Sequence, residues 1–138
     1  MKQPEMAAVL DVPPIGIPGW GLGDVQKILA EALPLGGRAI VVTEGGENGH
    51  AFNAVNTDEG VVLMDAGTGT TFQTQDEIAA FQKNVEGAPG HGDIGQINVY
   101  VTTSAAELPD TPIRRLILEW RENQRQAPSA SHAAALDL

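Results

Sequence analysis

The chain has 138 residues, 42% of them apolar, which is enough to bury one core and leaves no need for a second. Eighteen acidic against eight basic residues give a formal charge of −10, which opposes contact with nucleic acid or an anionic membrane surface, since phosphate binding needs clustered lysine and arginine. No apolar run approaches the roughly 18 residues of a spanning helix, residues 1–5 lack the apolar core of a signal peptide, and with no cysteine there is no disulfide framework.

Residues 1–23 hold Pro13, Pro14 and Pro18 with Gly16, Gly19, Gly21 and Gly23, and they are expected to form an irregular lead-in with at most a turn or two of helix near residues 6–11. Trp20, set among these glycines and prolines, is either a plug of core or groove or a lining of a binding cleft. Asp24 is placed to cap a helix whose apolar positions Val25, Ile28, Leu29 and Leu33 recur at helical spacing, with Pro34 and Gly36-Gly37 ending it. Residues 38–43 predict a short central strand, and the glycine-rich residues 44–49 a loop that delivers His50 to the start of the next strand.

Residues 50–56 and 60–67 form a predicted β-hairpin. If Thr57-Asp58 make the turn, paired residue numbers sum to 115 and His50 lies directly across from Asp65. If Asp58-Glu59 make it, the sum is 117 and the two are diagonal neighbours on one face, about 7–8 Å apart at the backbone. A sum of 116 would send them to opposite faces, since a one-residue slip reverses every side chain. A loop over residues 67–70, a helix over about 75–85 with Ile78, Phe81 and Val85 on one face, and a loop with His91 come next. Residues 96–102 predict a strand, because Ile97, Val99 and Val101 alternate with Asn98 and Tyr100. Thr111 and Pro112 open a last helix with the stripe Ile113, Leu116, Ile117 and Trp120, and residues 127–138 are expected to be a weakly ordered tail.

The segments Gly49-His50-Ala51-Phe52-Asn53-Ala54-Val55-Asn56 and Gly60-Val61-Val62-Leu63-Met64-Asp65-Ala66-Gly67-Thr68-Gly69 resemble the signature of the papain-like toxin domains, which include protein glutamine deamidases. The likeness spans roughly residues 24–103, with the hairpin as its specific part. It implies an α+β fold with an antiparallel sheet of about four strands flanked by helices, a domain over residues 24–126, and a Cys-His-Asp acyl chemistry. His50 and Asp65 fall on the family's histidine and aspartate, and Asn53 and Gly67 on adjacent positions assigned to substrate. Gly67 stands where the family usually has glutamine, and the cysteine that should precede the histidine, in the region of residues 6–12, is missing. Ala7, Ala8, Leu10 and Asp11 offer no replacement nucleophile. The resemblance therefore implies an effector delivered without a signal peptide, otherwise a cytoplasmic protein. Its expected partners are a protein target and either a companion segment carrying the cysteine or an immunity protein.

Other chemistries are less well supported. Residues 45–49 lack the Gly-Lys-Ser/Thr ending of a phosphate loop. His50, His91 and His132 with Asp65 and Asp93 show no metal-ligand spacing, so neither metal nor cofactor is expected. The hydroxyl candidates Ser104, Ser129 and Ser131 follow the hairpin, while Thr43 and Thr68 lie closer to His50 in the chain. A non-catalytic interaction or structural module of a secretion, phage or toxin assembly is the reading from another class.

Overall fold

A computed structural model describes residues 10–17, 21–45, 48–65, 68–87, 92 and 94–137, with residues 48–49 and 126–137 described by their backbone alone. Six strands, β1 (Ile15–Ile17), β2 (Arg38–Gly45), β3 (Asn48–Thr57), β4 (Gly60–Asp65), β5 (Thr70–Phe72) and β6 (Gln96–Val101), form one sheet in the order β1-β6-β2-β3-β4-β5. Every neighbouring pair is antiparallel. The helices are α1 (Leu22–Ala32), α2 (Gln75–Glu86) and α3 (Pro112–Asp137). The chain is thus α+β, but with six strands rather than about four. The two additional ones, β1 and β5, are three-residue edge strands: β1 lies inside the lead-in expected to be irregular, and β5 starts at the last residue of the loop expected over residues 67–70.

Strand alternation divides the sheet into two unlike faces. Ile15, Ile17, Ala39, Val41, Phe52, Ala54, Val61, Leu63, Ile97, Val99 and Val101 point to one side, where Leu22, Val25 and Leu29 of α1, Ile78, Phe81 and Val85 of α2, and Ile113 and Ile117 of α3 close the core. The other side carries a smaller cluster of Val12, Val42 and Tyr100 with Leu10 and Ile40 packed against it. Lead-in residues therefore contribute to both clusters, and the folded unit begins well before residue 24.

Local chemistry explains the element ends. In α1 the N-cap is Gly21, and Asp24 sits three residues inside, its carboxylate accepting from the Gly21 amide at 3.4 Å. Gln26 Nε2 donates to the carbonyls of Val61 at 2.8 Å and Gln73 at 2.6 Å, tying α1 to β4 and to the entry of α2. Thr74 and Glu77 form a reciprocal capping box that starts α2. The helical backbone of α3 continues to Asp137, through the segment expected to be a weakly ordered tail; alanine, frequent there, is the best helix former.

Candidate active site

The hairpin register decides which side chains can meet. Asn53 pairs with Met64, Ala54 with Leu63 and Thr57 with Gly60, so paired numbers sum to 117 and Asp58-Glu59 are the turn. Thr57 fixes that choice: its hydroxyl donates to Gly60 O at 2.7 Å and accepts from the Glu59 amide at 3.2 Å. Gly60 has φ +117, a backbone open to glycine and strained for other residues. Continued by one residue, this register puts Asp65 across from Phe52 and diagonal to His50, all on the helix-covered face.

His50 is the third residue of β3 rather than its first, because β2 and β3 extend into the segment expected as a loop. Its Nε2 lies 3.8 Å from Asp65 Oδ2, within ion-pair range and beyond a hydrogen bond. That nitrogen is closed to water and has no hydrogen-bond partner among the described residues. The His50 side chain as a whole is 33% exposed and that of Asp65 18%, so the accessible part of the imidazole is elsewhere than Nε2. With a proton on Nε2 facing the carboxylate, Nδ1 is left as the acceptor for a proton from outside.

Two phenylalanines flank the ring, and a third backs one of them. Phe52 lies 6.1 Å from it in a tilted contact and Phe81 6.1 Å away edge-on, with Phe52 and Phe81 themselves edge-to-face at 5.1 Å. Phe72 stacks on Phe81 at 4.1 Å. The sequence marks Phe81 only as part of an apolar stripe; that it meets the histidine follows from how α2 packs. Beside Asp65 stands its strand partner Thr70, whose hydroxyl accepts from Thr68 at 2.9 Å.

The other predicted site residues are placed as follows. Asn53 is exposed on the opposite face of the sheet from His50, an odd number of residues along the same strand, and the structure does not bring the two together. Trp20, Gly67, Ala7 and Ala8 lie outside the described residues. Of the segment assigned to the missing nucleophile, Leu10 and Val12 pack against Tyr100 and Val42, across the sheet from His50.

Neither Ser104 nor Thr43 takes the nucleophile's place. Ser104 belongs to a surface pocket with Arg38 at the far end of β2; Arg38 is five residues from Thr43, the strand partner of His50, a separation of about 17 Å at ~3.4 Å per residue. Thr43 is fully buried, and its hydroxyl donates to the His50 carbonyl at 3.4 Å. Among the described residues no three His, Cys, Asp or Glu side chains cluster as a metal site would require.

The chain matches no known protein-family model, no curated protein and no solved structure. The resemblance to the toxin domains thus rests on the hairpin residues themselves. What the arrangement can do chemically is hold an imidazole against a carboxylate, with aromatic walls, ready to accept a proton from a group presented to it.

Proposed function

We propose that this chain is a papain-like toxin-type domain, related to the protein glutamine deamidases, that keeps the histidine and aspartate of an acyl-transfer site and has no nucleophile of its own. The observation that supports this reading is the pairing of His50 Nε2 with Asp65 Oδ2 at 3.8 Å on the core face of the hairpin, the two residues that the resemblance assigns to the histidine and the aspartate. In the complete machinery a thiolate attacks the carboxamide carbon, His50 takes the thiol proton and returns it to the leaving ammonia, and Asp65 steadies the imidazolium. Here the thiol has to come from a companion segment or chain, and without it the domain acts by binding a protein target, as an effector delivered without a signal peptide.

The test is a deamidation assay on this 138-residue chain with glutamine-bearing proteins, following ammonia release. No turnover above a His50→Ala control is expected. Turnover that depends on His50 would overturn the absence of a nucleophile and point to a hydroxyl. A second reading, a purely non-catalytic interaction module, is favoured by the absence of any cysteine from the chain. The two part on a thiol supplied from outside: a cysteine-bearing companion restores His50-dependent turnover only under the first.

A further inference from the structure

The imidazole of His50 presents its two nitrogens to different surroundings. Nε2 is closed to water and lies 3.8 Å from Asp65 Oδ2, with no hydrogen-bond partner among the described residues. An unprotonated Nε2 would aim its lone pair at a carboxylate, so repulsion places the proton of the neutral ring on that nitrogen. Nδ1 is then the nitrogen with the free lone pair. No hydrogen bond from a described residue engages it and it is not closed to water as Nε2 is, so the 33% of the side chain that is exposed includes it. Asp65, Phe52 and Phe81 are the side chains placed against the ring, none of them cationic.

We infer that His50 is itself a nucleophile, through Nδ1, toward uncharged activated acyl donors such as aryl esters. The Nδ1 lone pair bonds to the ester carbonyl carbon and the aryloxide departs, leaving an acylimidazolium whose Nε2 proton faces Asp65. Water then attacks the same carbon, the C–N bond breaks, and the acid leaves as the imidazole is restored. The sum is ester plus water to carboxylic acid and phenol, with no co-reactant. The leaving group sets the limit. Imidazole is expelled from a tetrahedral adduct more readily than an amide, so attack on a glutamine carboxamide reverts, whereas an aryloxide departs more readily than imidazole and attack on its ester goes forward. This nitrogen therefore does not replace the missing thiol in deamidation. Charge narrows the donor further: with Asp65 beside the ring, no cation placed against it and a formal charge of −10, an acyl phosphate is repelled and a neutral ester is not. The inference uses the geometry of His50 and Asp65 and none of the kinship to the deamidases.

The test follows p-nitrophenolate release from p-nitrophenyl acetate by the full chain. Most of the turnover is expected to be lost in His50→Gln and kept when His91→Gln and His132→Gln are combined. Diethyl pyrocarbonate gives a reading that needs no variant, because its ethoxyformyl group stays on the attacking nitrogen. On the wild-type chain it should label His50 before His91 and His132, and at Nδ1, as read by peptide mapping and nitrogen NMR. Asp65 positions the proton, so Asp65→Asn should lower the ester turnover and mix the two imidazole tautomers in the nitrogen spectrum. Turnover unchanged in His50→Gln overturns the inference, as does labelling at Nε2 or labelling of His50 after the other two histidines. So does an Asp65→Asn spectrum with the wild-type tautomer signature. Each of these leaves the companion-thiol assay standing, since that assay requires proton transfer from a thiol to His50 and not a bond from His50 to carbon.

Discussion

Phe81 holds His50 from the helix side: its ring meets the imidazole edge-on at 6.1 Å while stacking on Phe72 at 4.1 Å. The histidine is thus positioned by α2 as well as by its own strand. Phe81→Ala should cost about 3–5 kcal/mol, as large-to-small changes at buried aromatics do, read from the urea midpoint. Phe81→Leu should cost less, but in both variants the His50 ring protons should lose the ring-current shift that Phe81 imposes. Unchanged His50 resonances would mean that β3 alone sets the imidazole.

Asn56 joins the hairpin to the end of α1. Its Nδ2 donates to Leu33 O at 2.8 Å, while its backbone carbonyl accepts from Gly36 at 2.7 Å and its amide donates to Gly37 at 2.9 Å. The residue is buried, so Asn56→Ala leaves the Leu33 carbonyl short of a partner and should destabilise by about 1–3 kcal/mol. Asn56→Asp should be worse at neutral pH, because a carboxylate cannot donate. Denaturation with unchanged cooperativity is the measurement, and an Asp variant as stable as wild type would refute the assignment.

How much of this was legible beforehand depended on the range of the interaction responsible. The helix over residues 75–86 and the strand Gln96–Val101 were readable because spacing alone specifies which face is apolar. The approach of His50 to Asp65 was readable to within a register, since both permitted two-residue turns keep the pair on one face. The choice between those turns was made by the Thr57 hydroxyl, which composition does not reveal. The exposed side of Asn53 was readable from parity, because three residues along a strand always changes face. By contrast β1 and β5 are too short to show a period, and their pairing depends on strands distant in the chain. The contact of Phe81 with His50 belongs to the same class: it depends on where α2 lies across the sheet.

Glu77 should titrate below the ordinary glutamate range. Its carboxylate accepts from the amides of Thr74 at 3.0 Å and Gln73 at 3.1 Å, and hydrogen bonds to the charged form favour ionisation. Because the folded value is the lower one, the contribution to stability is present above the unfolded glutamate value and is lost as pH falls through the folded one. Carboxyl carbon NMR should place its midpoint lower in the native protein than in urea. Thr74→Ala should raise that midpoint part of the way and cost about 0.5–2 kcal/mol as a lost cap. A Glu77 midpoint equal in the native protein and in urea would show that the capping box does not persist in solution.

Tyr100 is the chain's one tyrosine, and it is fully buried on the face opposite His50, packed with Val12 and Val42. Burial pushes its phenol up from the ordinary value, and the charge of Glu44 adds to the effect. The folded state therefore holds the phenolic proton more tightly than the unfolded chain. That contribution is complete below the unfolded phenol value, about 10, and is lost as pH rises through the folded one, so stability should decline on the alkaline side. With a single tyrosine, the phenolate absorbance reads this group without assignment. It should appear at higher pH in the native protein than in urea, and Glu44→Gln should bring the native curve part of the way back. Identical native and urea curves would mean that residues 10–12 do not cover the phenol in solution, and the smaller core on that face would then have to be redrawn.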